Sequence, residues 1–473
     1  MENNRGQWNS NLMFLLAAIG SAIGLGNLWG FPYKMGANGG LPFLLIYLVM
    51  VVFCGVVVQA VETVIGRKTG KSPIVALGQV AKKFKFVGWF GTLSAFIIMG
   101  FYTVIICYSV RYLCGYAVNI FGGDGFNGAA AGADFFVGFT QNVPMVILFT
   151  AITFLLCAVF VMGGTRGLES FNKVGIPGLF LLLIGIIIYN LTLPGAGQGY
   201  VFMFTTKGMD MAGSSFNFFK AVRTAGGQML FSLSLGMGAM ITYGSYLSKD
   251  ESIGKNAWII PFFDTLAAIF AGMAIFPAVF ATGNAPAAGP GLLFMTMFDV
   301  FKTMGGAGNI IGFLFNLLVI FAGVSSAISL MEVVTSSIID CAAEKGKTRN
   351  RKGTTLLVAL AMFVISIPVC LDQLGLAGDQ GFFWPLYSYL GAGSQDLLDF
   401  YDMLTEGLMM PLGALLMCLI VAYKKGFNWM KDEVCLGGKT WKAEGFFKVC
   451  VKYITPVLMA FVLVSLFLSY LGV

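Results

Sequence analysis

The sequence predicts an all-α polytopic membrane protein of eleven transmembrane helices, and three observations carry that prediction. Of the 473 residues, 58% are hydrophobic and only 11% charged, with a mean hydropathy of +0.84, which no soluble domain of this size matches. Apolar stretches of about 20 residues, long enough to cross a bilayer, recur along the whole sequence. Lys and Arg gather in alternate gaps between those stretches, as they do in loops on one side of a membrane.

The apolar spans fall at about 12–35, 41–66, 87–119, 146–163, 170–193, 217–247, 257–284, 306–341, 354–372, 396–424 and 450–472. The segment before the first, MENNRGQWNSN, lacks the features of a cleavable signal, so the first span is expected to be retained. The basic gaps hold Arg67, Lys68, Lys71, Lys82, Lys83 and Lys85, then Arg166 and Lys173, then Lys249 and Lys255. Later ones hold Lys345 to Lys352 and Lys424 to Lys431. The opposite gaps are poor in cations. Residues 372–402 carry Asp372, Asp379, Asp396, Asp399 and Asp402 and no Lys or Arg. The N-terminus is therefore expected in the cytoplasm and, after an odd number of spans, the C-terminus outside. Residues 121–143 and 281–305 read as external loops, the second with a short amphipathic helix near 291–304.

Composition also excludes function classes. There is no histidine, which removes the commonest metal ligand, haem ligation and histidine acid–base chemistry. The nine cysteines form no C-x-x-C pair and read as small buried hydrophobes. No Walker A loop suggests ATP-driven pumping, and no nucleophile–base pair suggests an enzyme.

The first span is irregular where a membrane helix is expected to be most regular. Residues 20–32 hold four glycines and a proline. Each glycine costs about 1 kcal/mol relative to alanine in a helix. A broken helix exposes backbone groups that lipid cannot satisfy. The stretch is either a close-packing face or a site for something polar. A second break, Ser232-Leu233-Ser234-Leu235-Gly236-Met237-Gly238, sits in the sixth span. Interrupted helices at corresponding places in two five-helix halves point to an inverted-repeat transporter with a midplane site. The chain then reads as one transporter domain over 1–473: repeat one at about 12–193, repeat two at about 217–424, and an extra helix at about 450–472.

GSAIGLGNLWGFPY followed by Asn38-Gly39-Gly40 resembles the signature of the neurotransmitter:sodium symporters, the family that includes the bacterial leucine transporter. Further matches are Arg5 and Trp8, Glu62-x-x-x-Gly66-Arg67, Gly227-Gln228-x-x-Phe231-Ser232-Leu233-Ser234-Leu235-Gly236, Ile241-Thr242-Tyr243 and Ala322-Gly323-Val324-Ser325-Ser326. They run through spans one to eleven. The family's usual twelfth span is missing, as in some bacterial members.

The resemblance implies about two sodium ions. Site one would use the Ala22 carbonyl, Asn27, Ser232 and Asp264, where the usual residue is Asn, with the substrate carboxylate completing the shell. Site two would use the Gly20, Ile23 and Ala322 carbonyls and the Ser325 and Ser326 hydroxyls. Oxygen ligands suit a hard cation. Many eukaryotic members bind chloride near a serine one turn beyond the Asp264 position. Here that residue is Ala268, and Asp264 supplies a fixed negative charge, so no chloride is expected. A carboxylate that loses its sodium is also suited to take up a proton, which adds proton antiport through Asp264 to the reading. The substrate is expected to touch Ala22, Gly24, Gly26 and Ser232, with Tyr102 on its carboxylate. Ile98, Phe231, Ser234, Met237 and Leu330 would surround its side chain.

For the gates, the resemblance implies Arg5 with Asp340, beside Trp8 and Tyr246, on the cytoplasmic side. Asp402 would stand on the external side. There the usual arginine is replaced by Gly30, leaving Lys34 to reach Asp402, or Phe231 and Tyr102 to close the site without a pair. Glu62 and Glu332 read as helix-packing anchors, and Glu406 has no assigned role. The resulting reading is a plasma-membrane, sodium-coupled, chloride-independent symporter of neutral hydrophobic L-amino acids, branched or aromatic. Its partners are the small-molecule substrate and membrane lipid, with no nucleic acid. The alternative is a same-fold carrier of another zwitterion, an amine or an osmolyte.

Overall fold

The computed structural model describes residues 6–211, 216–281, 283, 292–376 and 396–470. Among these there are helices and turns but no strands. The first span is a bent pair, α1 (Asn11–Ala22) and, after a π-helical turn at Gly26–Gly30, α2 (Phe31–Ala37). Then follow α3 (Leu41–Thr69), α4 (Lys82–Ile120), α5 (Val143–Met162) and α6 (Thr165–Asn190). The second half runs α7 (Phe218–Ser232), α8 (Ala239–Gly244), α9 (Ile253–Ala281), α10 (Gly306–Glu344), α11 (Arg351–Gly375), α12 (Leu397–Val434) and α13 (Glu444–Ser469).

Nine of these helices are long and apolar enough to cross a membrane, and the bent pair α1–α2 makes a tenth, among the described residues. The expected sixth span, 217–247, is divided into α7 and α8, each too short to count by itself. The two expected external loops contain helix as well: Gly132–Thr140 in the first and Met297–Thr303 in the second.

Polar caps set several helix starts. Ser10, Asn142, Asn217, Asn350 and Asp396 each accept a hydrogen bond from a backbone N–H in the first turn of the helix that follows. Apolar surface then sorts the helices. In α4, 78% of the apolar window is buried, against 33% in α6, so α4 is central and α6 peripheral. Val174 and Leu181 on α6, Leu155 and Val159 on α5 and Val457 on α13 are exposed, an apolar face suited to lipid. α10 packs along α4 and α6, while α1 lies against α6, α9 and α10. α7 and α8 both rest on α3. Both helix breaks are thereby enclosed by long unbroken helices.

Candidate functional site

At the first break the chain leaves helical geometry at Ile23, which is extended at φ −74°, ψ 103°. Gly24 allows no side chain there: a Cβ would fall 2.3 Å from Ser326 Oγ and 2.4 Å from Tyr102 Oη. At the second break Ser234, Gly236 and Gly238 all take positive φ. Ser234 is the strained one, because a side chain disfavours φ near +52°. Its hydroxyl donates to the Ser21 carbonyl at 2.8 Å, which ties the second break to the first. Glu62 accepts the freed Gly236 N–H at 2.6 Å, so its anchoring place is at the break itself.

Beside the first break, α10 brings its paired hydroxyls to the backbone. Ser325 Oγ lies 2.7 Å from the Ala322 carbonyl and 3.3 Å from that of Ile23. Ser326 Oγ lies 3.0 Å from the Ser21 carbonyl and 3.4 Å from that of Gly20. The five oxygens named for site two, on Gly20, Ile23, Ala322, Ser325 and Ser326, thus come together in a buried cluster.

A second cluster forms around Asp264, which is fully buried on α9. Its carboxylate accepts from Asn27 Nδ2 at 2.8 Å, from Ser232 Oγ at 2.9 and 3.1 Å, and from the Tyr47 hydroxyl at 3.3 Å. Asn27 Oδ1 accepts the Gly24 N–H at 2.9 Å. Tyr47 was missed in the sequence, where one tyrosine in an apolar span carries no signal.

A cavity beside the two breaks is lined by Ala22, Gly24, Gly26, Ile98, Tyr102, Phe231, Ser234, Met237 and Leu330, and also by Ser21 and Ser326. Of the residues expected around a substrate, only Ser232 is not in this lining; it faces Asp264 instead. The space open to a water's centre is only about 10 Å³, room for one molecule. The Tyr102 hydroxyl accepts the Leu25 N–H at 2.9 Å, and its ring centroid is 6.3 Å from that of Phe231.

The two ends differ. Lys34 is paired with Glu406: Nζ lies 2.8 and 3.1 Å from its carboxylate oxygens, with the pair nearly buried. Asp402 closes the first turns of α12, one turn before Glu406. At the opposite end Arg5 lies outside the described residues. Trp8 is buried against Tyr243 and Tyr246, its indole N–H donating to the Tyr243 carbonyl at 3.0 Å. Asp340 accepts the Ser72 N–H at 2.7 Å. Glu332 accepts from the Tyr246 hydroxyl at 2.6 Å and pairs with Arg351, which also donates to the Val161 carbonyl.

A model of the sodium:neurotransmitter symporter family matches residues 5–118 and 140–472. An uncharacterized sodium-dependent transporter of Bacillus subtilis is 33% identical over 472 residues, covering 99% of this chain and 98% of its own. One from Methanocaldococcus jannaschii is 32% identical over 445 residues, covering 91% and 84%. The human sodium- and chloride-dependent GABA transporter 2 is 22% identical over 501 residues, covering 96% and 78%. Among solved structures, that of MhsT in complex with L-phenylalanine superimposes with a TM-score of 0.83 at 32% identity, covering 98% of this chain and all of that one.

Proposed function

The chain belongs to the sodium:neurotransmitter symporter family, a family of sodium-dependent transporters rather than enzymes, and from that premise we propose that it is a chloride-independent symporter of neutral hydrophobic L-amino acids. It is a multi-pass membrane protein. We place it in the cell membrane with its N-terminus cytoplasmic, on the distribution of Lys and Arg. Its two repeats are taken as about 12–193 and 217–424, with one broken helix in each.

The observation that carries the reading is one largely apolar cavity whose lining takes in Ser326 of one oxygen cluster and Gly26, which packs against Ser232 of the other. Gly20, Ile23, Ala322, Ser325 and Ser326 present oxygens only, the donor set a hard cation takes. Asp264 with Ser232 is the second such set, beside Asn27, whose Nδ2 donates to the carboxylate and whose Oδ1 would be the atom offered to a cation. The Ala22 carbonyl and the substrate carboxylate complete that shell, which links ion binding to substrate binding. Tyr102 and the amides after Gly24 receive the same carboxylate. Ile98, Phe231, Met237 and Leu330 leave the side chain an apolar pocket, and Met237 adapts to bulk. The complex of MhsT with L-phenylalanine supports this substrate class. Gly24 offers no acid to an amine, which weighs against amine carriers.

Transport then alternates access. Sodium and substrate together hold the two breaks against α4 and α10. Opening one end, then the other, moves both across. Asp264 already supplies the negative charge that chloride gives in other members, and Ala268 offers no anion ligand. As sodium leaves, the same carboxylate can take a proton for the return.

The test is uptake of a mixed amino acid pool into proteoliposomes, with and without an inward sodium gradient. Sodium-driven accumulation of branched or aromatic amino acids is expected, unchanged when gluconate replaces chloride. Competition by glutamate or lysine alone, or a strict chloride requirement, overturns the substrate or ion assignment respectively.

A further inference from the structure

Asn172 on α6 is fully buried, and its side chain is only half used. Nδ2 donates to the Leu168 carbonyl at 2.9 Å, while Oδ1 has no hydrogen-bond partner among the described residues. Buried polar atoms are nearly always paired, so such an oxygen calls for a partner. Oδ1 packs against the Cα of Gly20, where a Cβ would lie 1.9 Å from it. Gly20 is the residue whose carbonyl opens the Ser325–Ser326 cluster.

The same helix face continues toward the end that carries the N-terminus. Glu169 is three residues before Asn172, and Thr165 four before that, a spacing that stacks side chains on one face. Glu169 is buried and accepts from Asn9 twice, from its backbone N–H at 2.8 Å and from its side-chain amide. Thr165 Oγ1 lies 3.4 Å from the Gln7 carbonyl. Thr165 also lines a cavity of about 460 Å³ shared with Gly6, Tyr246, Asp340 and Arg351. A row of oxygens thus leads from the Gly20 cluster to that cavity. The segment Gln7–Asn9 lies across its outer part.

We infer that Asn172 Oδ1 is a relay ligand for sodium leaving the Gly20–Ser326 cluster toward the N-terminal end, with Glu169 the next ligand once Asn9 moves away. An amide oxygen suits this step, because it can bind sodium briefly without holding it as a carboxylate would. Glu169 supplies the charge only where the path is already near the cavity. The inference rests on the reading that the five-oxygen cluster holds sodium.

The experiment uses the full-length purified chain and radioactive sodium alone. Equilibrium titration reports the site, and dissociation into potassium buffer reports the path. Asn172→Val removes the oxygen, and Asn172→Thr, of the same shape as valine, restores a neutral one. Asn172→Val is expected to leave half-saturating sodium within about twofold and to slow sodium release about tenfold, the size of one lost ligand contact. Asn172→Thr is expected to release sodium faster than Asn172→Val. Unchanged release in Asn172→Val overturns the relay. So does equal slowing in both variants, which would make shape rather than oxygen the cause. A shift in half-saturating sodium as large as that of Ser326→Ala overturns it too, by placing Asn172 in the site itself. If Ser326→Ala leaves sodium binding unmoved, the cluster is no sodium site and the premise fails instead.

Discussion

The two ends of the bundle are closed by unlike means. Above the cavity, the ion pair seen among the described residues between α2 and α12 is Lys34 with Glu406, nearly buried. Gly30, one turn below Lys34, leaves Gln228 Oε1 buried without a partner among the described residues. At the other end the links are distributed. Trp8 is bonded to the Tyr243 carbonyl, Tyr246 and Arg351 converge on Glu332, Ser72 holds Asp340, and Asn9 holds Glu169. A distributed set loses one member at modest cost. A single buried pair does not, since removing one partner strands the other charge. The end with Lys34 is therefore expected to respond all-or-none, and the end with Trp8 by degrees.

Breaking the single pair has the largest expected effect. Lys34→Met or Glu406→Gln alone is expected to cost about 3–5 kcal/mol, read as a lower midpoint of thermal unfolding in detergent and near-complete loss of sodium-driven uptake. The double variant Lys34→Met/Glu406→Met is expected to regain most of the stability, because no charge is left stranded. If the double variant is no better than either single one, the pair is not the unit that closes this end. At the opposite end Glu332→Gln is expected to cost less, about 1–2 kcal/mol. Its amide still accepts from Tyr246, and Arg351 keeps the Val161 carbonyl and is partly exposed. Equal losses at the two ends would erase the contrast.

The parts of this architecture visible in the sequence were those that break local rules. Glycines at 20, 24, 26, 236 and 238 contradict a membrane helix, and Asp264 contradicts an apolar one. Each such residue marks its own position, so the breaks could be read in one dimension, whereas the lining residues Ile98, Tyr102, Phe231 and Leu330 were legible only through the family resemblance. The Lys34 partner could not. Asp402 and Glu406 are four residues apart and share a helix face, so only the rotation and height of α12 against α2 choose between them. Tyr47 and Asn172 were invisible for the same reason. A tyrosine or asparagine in a span acquires meaning only from what another helix places opposite it, here Asp264 and Gly20. The division of the sixth span was legible as a break, but its consequence was not. Neither α7 nor α8 is long enough to count as a span, although together they occupy the expected segment.

The smallest expected effect sharpens the contrast most. Gly30 has helical φ and ψ, near −64° and −51°, so alanine fits the backbone and gains up to about 1 kcal/mol of helix propensity. Its methyl would sit 2.9 Å from Gln228 Oε1, closer than a Cβ normally tolerates. Gln228 has limited freedom to retreat, because Nε2 donates to the Gly26 carbonyl at 2.7 Å and so braces the first break from α7. If Lys34 and Glu406 alone close this end, a small shift of Gln228 is harmless. Gly30→Ala then keeps thermal stability within about 1 kcal/mol and leaves sodium-driven uptake near that of the parent. If instead the Gln228–Gly26 bond is a second link, the methyl strains it and uptake falls while Lys34 and Glu406 are untouched. Comparing Gly30→Ala with Gly30→Ala/Gln228→Ala separates the cases: recovery in the double variant means that crowding was the cause, and further loss means that this end, too, is held at more than one point.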